Sequence, residues 1–178
     1  MIQVYTGDGK GKTTAAAGLA VRAVGAGKKV CLVQFMKGQA SSEVKVLEGL
    51  GVKVFRFGGK NFVDKKNPSK EDVEEARKGL DIVNTICRGE ACLARGPITI
   101  GPYEIVIIDE ILVAVFFKLI SEEDVLKLMK STPPEIELVL TGRGATPRMI
   151  ELSDLVTEMK CVKHPYDKGV MARKGIEF

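Results

Sequence analysis

One stretch near the start of the chain decides its fold, Thr6-Gly7-Asp8-Gly9-Lys10-Gly11-Lys12-Thr13. A short apolar run at residues 2–5 precedes it, and a run rich in Ala and Leu at residues 12–25 follows it, which predicts a strand, a turn and a helix. Glycines let such a turn point several backbone N–H groups into one concavity, and the helix N-terminus adds partial positive charge. We therefore expect this turn to bind phosphate groups.

Two side chains at the end of the turn add the charge and the hydroxyl that glycines lack. Lys12 supplies a mobile cation for phosphate oxygens, and the hydroxyl of Thr13 can bind Mg²⁺. The stretch matches the pattern GxxxxGK[ST] except at its first position, where Thr6 stands and Gly7 follows. The alternative is a glycine-rich turn with no ligand, and the flanking strand and helix favour the binding loop instead.

Strand and helix patterns alternate along the rest of the chain. Predicted strands cover residues 2–5, 29–36, 52–57, 103–108, 135–140 and 155–160, and predicted helices cover residues 12–25, 42–50, 69–88 and 121–130. We expect a long loop at residues 58–69 and an irregular C-terminal tail at residues 163–178. The alternation predicts one α/β domain over residues 1–178, with a mostly parallel central sheet between two helical layers.

An acidic pair follows one of the predicted strands. Asp109 and Glu110 come directly after the apolar run at residues 103–108, so they lie at the carboxyl edge of the sheet, where ligands of open α/β sheets bind. Either carboxylate can hold Mg²⁺, directly or through water, beside Thr13. A solvated acidic pair at the start of the next element is the alternative interpretation.

Two arginines are further candidates for contact with the ligand. Arg143 lies in the turn after the strand at residues 135–140, and its planar guanidinium can bind triphosphate oxygens. Arg22 lies about two and a half helical turns beyond Thr13, where it can reach a ribose or phosphate or simply face solvent. Residues 113–117 are apolar enough for the core or for a subunit contact, and periodicity does not choose between them.

Composition excludes several other classes of protein. The 178 residues carry a net charge of +4, too mild for a typical nucleic-acid-binding surface, so we expect no nucleic-acid partner. The longest apolar run is interrupted by Asp109 and Glu110 and is too short to span a bilayer. None of the four cysteines forms a CxxC pair, and a strand rather than a leader follows Met1, so we expect reduced thiols and a cytoplasmic protein.

Several motifs in order along the chain resemble the cob(I)alamin (corrinoid) adenosyltransferases of the P-loop family. They are the phosphate-binding turn through Thr14, Val33-Gln34-Phe35-Met36-Lys37-Gly38, Ile108-Asp109-Glu110-Ile111, Leu140-Thr141-Gly142-Arg143-Gly144, Val156-Thr157-Glu158-Met159, Val162-Lys163-His164-Pro165 and Gly175-Ile176-Glu177-Phe178. The resemblance covers nearly the whole chain and implies a RecA-like P-loop NTPase fold, a three-layer sandwich. Thr6 in the first glycine position is part of that family's signature.

The resemblance implies a reaction at carbon rather than at phosphorus. The family transfers the 5′-deoxyadenosyl group of ATP to Co(I) of a reduced corrinoid and releases triphosphate, in cobalamin biosynthesis or salvage. ATP lies reversed relative to ordinary P-loop enzymes, with its γ-phosphate deep in the loop. Because cobalt is the nucleophile, no Ser, Cys or His nucleophile is required. An electron-donating flavoprotein or reductase and a homodimer are further family expectations.

The family's functional residues can be placed on matching positions of this chain. The ATP contacts implied are Thr6, Gly7, Asp8, Gly9, Lys10, Gly11, Lys12, Thr13, Thr14, Arg22 and Arg143. The Mg²⁺ ligands implied are Thr13 and Glu110, with Asp109 beside them, and we expect Lys12, Thr13 and Glu110 to carry catalysis.

The corrinoid side departs from the family pattern. Phe62 matches a phenylalanine that packs against the corrin, but Asp64 stands where better-studied members have tryptophan, and Leu112 stands where members carry a polar residue. The change at Asp64 indicates either a different corrinoid preference or another aromatic side chain, such as Phe57, in that role. A P-loop ATPase or small kinase, and a carrier that binds without turnover, are the competing hypotheses.

Overall fold

The computed structural model describes residues 1–38, 41–59, 63–65, 67–89 and 102–176, so Phe62 lies outside the described residues. The strands are β1 (Ile2–Thr6), β2 (Val30–Phe35), β3 (Lys53–Phe57), β4 (Ile105–Asp109), β5 (Glu137–Thr141) and β6 (Leu155–Glu158). The helices are α1 (Lys12–Gly25), α2 (Ser42–Gly49), α3 (Lys70–Arg88), α4 (Ile111–Phe116), α5 (Glu122–Ser131) and α6 (Pro147–Glu151).

The strands of the described residues form one sheet in the order β3-β2-β4-β5-β1-β6, and every neighbouring pair is parallel. This arrangement confirms the predicted α/β fold with a parallel central sheet. Because β4, β5 and β1 are adjacent, their last residues Asp109, Thr141 and Thr6 end at the same edge of the sheet. The turn to α1 begins at that edge.

The two faces of the sheet bury separate cores. In β4, Ile105 and Ile107 pack in one core with the alanines of α1, whereas Val106 and Ile108 pack in the other with residues of α3, α4 and α5. Alternate side chains of a strand point to opposite faces, so a strand buried on both faces reads as a continuous apolar run. The protein is therefore the predicted three-layer sandwich.

Two short helices were not predicted from the sequence. The helix α4 has six residues, Ile-Leu-Val-Ala-Val-Phe, and a run this short and this rich in β-branched residues shows no helical period. The helix α6 has five residues and begins at Pro147, with the Thr146 side chain accepting a hydrogen bond from the backbone N–H of Met149. The tail at residues 163–178 was predicted as irregular, and its described part contains one 3-10 turn, Pro165–Lys168.

Residues 113–117, for which the sequence left open either the core or a subunit contact, lie partly in the core. Ala114 is fully buried in the core, whereas the Phe116 side chain is exposed. No helix among the described residues is long and apolar enough to cross a membrane.

Candidate active site

The phosphate-binding turn is held against the end of β6. The backbone N–H of Gly9 donates a hydrogen bond to the carbonyl oxygen of Met159 over 2.6 Å, and the N–H of Met159 donates to the carbonyl of Thr6 over 2.8 Å. A side chain on Gly7 would collide with the Met159 backbone, and a Cβ on Gly9 would lie 2.8 Å from backbone atoms of Lys160. Glycine is therefore required here by close approach of another segment, besides the positive φ of 102° at Gly7.

Lys12, the first residue of α1, points its ammonium into the turn. Its Nζ atom donates to the carbonyl oxygens of Gly7 and Gly9, each over 2.7 Å, and the side chain is only 7% exposed. Burial lowers the pKa of Lys12, and nearby Arg143 lowers it further, while the Glu110 carboxylate raises it. The turn therefore holds the Lys12 ammonium against its own backbone carbonyl oxygens.

Asp109 accepts hydrogen bonds from residues of β2, β5 and α1 and from Lys37, which follows β2. Its Oδ1 atom accepts hydrogen bonds from the hydroxyls of Thr13 over 2.8 Å and Thr141 over 2.7 Å. Its Oδ2 atom accepts from the ammonium of Lys37 over 2.8 Å and the amide of Gln34 over 3.1 Å.

The electrostatics of Asp109 follow from these contacts. Complete burial raises the pKa of this carboxyl, but the charge and hydrogen bond of Lys37 and the two threonine hydroxyls outweigh it, so the pKa lies below its usual value. Asp109 is therefore an ionised carboxylate whose lone pairs are occupied by protein donors.

Glu110 has the opposite character. Burial raises the pKa of its carboxyl, and the neighbouring Asp109 charge raises it further, while Lys37, Lys12 and Arg143 lower it. The carboxylate accepts no hydrogen bond from the residues that the structure describes. The backbone of Glu110 has φ of 64°, uncommon for a residue other than glycine, and its N–H donates to the hydroxyl of Thr141 over 3.0 Å. The side chain is thus free to bind a cation.

Three residues of this site were not assigned from the sequence, Gln34, Lys37 and Thr141. Gln34 is completely buried in β2, directly opposite Asp109 in the pairing of β2 with β4, and its Oε1 atom has no hydrogen-bond partner in the described structure. The available signal was a polar residue inside an otherwise apolar strand. Only the register of the sheet places it against Asp109.

The turn after β5 carries Arg143 to the same edge. Gly142, with φ of 140°, packs so closely that a Cβ would lie 2.8 Å from the Cβ of Leu112. Arg143 is exposed, yet its charge acts on Lys12 and Glu110. Thr6 connects this turn to the phosphate-binding turn, because its hydroxyl accepts a hydrogen bond from the N–H of Ala145 over 3.3 Å.

Other residues predicted for the site lie further out. Asp8 and Thr14 are exposed, and the ammonium of Lys10 donates to the carbonyl of Ile176 in the tail over 2.9 Å. Arg22 is exposed in the last turn of α1, where its charge acts on the phenol of Tyr5. Of these residues, Asp8 acts on the cluster through its charge, which opposes the lowering of the pKa of Lys12.

Phe57 does not present its ring to a ligand. The side chain is 3% exposed, and its ring centroid lies 6.4 Å from that of Phe35 in the core. The suggestion that Phe57 replaces the missing aromatic residue is therefore wrong, because the ring is covered by protein on the α3 side of the sheet. Leu112 is likewise fully buried.

Among solved structures, the fold is similar to that of EssC (ATPases 2 and 3) from Geobacillus thermodenitrificans. The match has a TM-score of 0.51 and 13% sequence identity, and it covers 98% of this chain and 34% of that chain. At this identity the likeness concerns the fold alone, and it agrees with a P-loop NTPase architecture.

Sequence relatives are much nearer and cover this whole chain. The corrinoid adenosyltransferase of Escherichia coli (strain K12) is 36% identical over an alignment of 180 positions. The alignment covers 100% of this chain and 85% of that protein. The corrinoid adenosyltransferase CobA of Salmonella typhimurium is 35% identical, with coverage of 100% and 85%. That of Pseudomonas aeruginosa is 34% identical, with coverage of 100% and 83%.

The family description ATP:corrinoid adenosyltransferase BtuR/CobO/CobP matches residues 1–178, the full sequence. Together with these relatives, the match confirms the resemblance inferred from the motifs. The chain belongs to the ATP:corrinoid adenosyltransferase family.

Proposed function

We propose that this protein transfers the 5′-deoxyadenosyl group of ATP to Co(I) of a reduced corrinoid, with the phosphate-binding turn holding the triphosphate that leaves. One observation carries the assignment of the site: Lys12, Thr13 and Glu110 lie together at the carboxyl edge of the sheet, with Asp109 and Lys37 behind them. We infer the two substrates, ATP and a corrinoid, from family membership.

The proposed reaction requires stabilisation of the triphosphate as a leaving group. The electron pair of Co(I) forms a bond to C5′ of the ribose, and the C5′–O bond breaks with its electrons on the triphosphate. Cobalt becomes Co(III) in the product. Positive charge near that oxygen lowers the barrier, and Lys12, Arg143 and the N-terminus of α1 supply it.

The residues present fit Mg²⁺. This ion prefers oxygen ligands and usually takes one or two from the protein, with water and phosphate oxygens completing its shell. We assign the hydroxyl of Thr13 and the carboxylate of Glu110 to it, because Glu110 accepts no hydrogen bond from the described residues. Bound Mg²⁺ would neutralise charge on the triphosphate.

The sequence indicated Asp109 as a possible Mg²⁺ ligand, and in this proposal it has a different role. Its four hydrogen bonds occupy both oxygens, so we assign it to orienting Thr13. By accepting a hydrogen bond from the hydroxyl of Thr13, it leaves the lone pairs of that oxygen for a cation.

The wider setting is part of the same proposal. Co(I) chemistry requires an electron donor, such as a flavoprotein or reductase. A cytoplasmic location agrees with the buried free thiols of Cys31 and Cys87. A homodimer agrees with exposed apolar side chains of β6 and the tail, such as Leu155, Val156, Met171 and Ile176. Light scattering on the purified protein measures the last of these directly.

An anaerobic spectral assay tests the proposed activity. The protein is incubated with ATP, Mg²⁺ and cob(I)alamin, and we expect the visible spectrum of light-sensitive adenosylcobalamin together with one triphosphate per turnover. Formation of ADP without the spectral change would instead support an ATPase or kinase. Tight binding of both substrates without any product would support a carrier.

A further inference from the structure

An exposed aromatic ring lies next to the candidate active site. Phe116 is the last residue of α4, and its side chain is 48% exposed. The same helix begins directly after Glu110, the proposed Mg²⁺ ligand. Six residues of α-helix span about 9 Å, so the ring lies within the reach of a large substrate bound at the carboxyl edge of the sheet.

Contacts of the ring confirm that location. A Cβ placed on Gly144 would lie 3.4 Å from the Cδ2 atom of Phe116. Gly144 follows Arg143, whose charge acts on Lys12 and Glu110. The ring is therefore beside the arginine turn that borders the site.

A cation covers one part of the ring. The ammonium of Lys65, in the loop between β3 and α3, lies 3.8 Å from the ring centroid of Phe116. The ring centroid of Phe117 lies 6.0 Å away. Lys65 and Phe117 fix the orientation of the ring, since a cation over an aromatic face and a tilted aromatic pair are both attractive. The exposed remainder is a pre-oriented apolar surface.

Among the phenylalanines that the structure describes, only Phe116 is exposed. Phe35 and Phe57 are buried, and Tyr166, although exposed, belongs to the tail. Exposure of a large ring costs free energy that burial against a ligand recovers.

We infer that the exposed face of Phe116 packs against the corrin macrocycle and determines how tightly this chain binds its corrinoid. This inference rests on the proposed function and adds a specificity-determining residue to it. A corrin ring is broad and largely apolar across its faces, and an aromatic side chain is suited to such a surface. The nucleotide contacts lie on other residues, so this one position should affect one substrate only.

Steady-state kinetics with cob(I)alamin and ATP test the inference. Phe116→Ala should raise the KM for cob(I)alamin about tenfold, because losing the burial of part of a phenylalanine side chain corresponds to about that change in affinity. The KM for ATP should stay unchanged, and Phe116→Leu should lie between Ala and wild type. Leu50→Ala is the matched control, because Leu50 is 44% exposed after α2, near the opposite edge of the sheet.

Lys65→Met distinguishes direct contact between the Phe116 ring and the corrinoid from an indirect effect of Phe116 through the loop that carries Lys65. If the ring acts on the corrinoid directly, this variant should change the KM for cob(I)alamin much less than Phe116→Ala does. Equal effects of the two variants, an unchanged KM in Phe116→Ala, or a parallel change in the KM for ATP would each overturn the inference while wild-type activity upholds the proposed function. A wild-type protein that makes no adenosylcobalamin would overturn both.

Discussion

The ammonium of Lys37 lies 2.8 Å from the completely buried carboxylate of Asp109, which also accepts a hydrogen bond from the hydroxyl of Thr13. This ion pair connects the segment after β2 to the end of β4, and the hydrogen bond from Thr13 connects Asp109 to the first turn of α1. Breaking a buried pair from one side leaves an uncompensated charge, which costs more than the pair contributes when intact.

Lys37→Met should therefore lower the free energy of unfolding by about 3 kcal/mol, because the buried carboxyl of Asp109 loses the cation that compensates its charge. The double variant with Asp109→Asn should lose less than the sum of the two single variants, since no buried charge is left alone. Urea denaturation measures the free energy of unfolding of the wild type, the two single variants and the double variant. Lys28→Met is the control, because the pair of Lys28 with Glu104, at 3.1 Å, is exposed to solvent and should contribute little to stability. Additive losses would show that the two residues are not coupled.

Lys12→Ala should weaken binding of ATP and of inorganic triphosphate by about a hundredfold, because a desolvated cation facing the phosphates is removed. Isothermal titration calorimetry with both ligands measures this effect. Lys45→Ala, an exposed lysine on α2, serves as the control. Unchanged triphosphate affinity in Lys12→Ala would contradict the assignment of the turn.

Glu110→Gln should raise the Mg²⁺ concentration needed for half-maximal activity and lower kcat, since a neutral amide is a weaker ligand for a hard cation. Affinity for ATP measured without Mg²⁺ should not fall, because the variant removes a negative charge from the site. A Mg²⁺ titration of adenosylcobalamin formation separates the two quantities. A lower kcat with an unshifted Mg²⁺ dependence would assign Glu110 a role other than metal binding.

Two glycine substitutions should have opposite effects. Gly9→Ala places a Cβ 2.8 Å from the backbone of Met159 and Lys160, so the turn must move and activity should be lost. Gly18→Ala, inside α1 with no atom within 4 Å of the new Cβ, should instead stabilise the protein by about 0.5–1 kcal/mol. Thermal unfolding and the spectral assay measure both variants, and full activity in Gly9→Ala would mean that the turn does not need its contact with β6.

Stability should fall as the solution becomes alkaline. Burial raises the pKa of the Cys87 thiol to about 11, and burial raises the pKa of Cys31 as well. Between the ordinary thiol pKa and these raised values, the unfolded chain releases protons that the folded chain keeps, so the free energy of unfolding decreases with rising pH. Each thiol should cost about 1 kcal/mol by pH 10. Urea denaturation under reducing conditions measures the loss, which Cys87→Ala should reduce.

Local sequence was sufficient to place the glycine-rich turn and the acidic pair at the carboxyl edge of the sheet. Each is a short motif at the end of an apolar strand, and parallel topology brings such ends to one edge. The distinct roles of Asp109 and Glu110 could not be predicted, because they depend on donors such as Lys37 and Thr141 that are distant in sequence. The helix α4 escaped prediction because its residues are apolar on every side and too few to show a period.

The hydrogen bond from Gly9 to Met159 has a consequence for synthesis on the ribosome. The turn is translated before the segment that supports it, and strands β2 to β5 lie between the two in the sequence. When β1 and α1 have emerged from the ribosome, the nascent chain therefore carries the complete nucleotide motif but still lacks β6, the strand that supports it. Competence to bind nucleotide should arise late, when β6 docks beside β1, so that partly made chains do not sequester ATP.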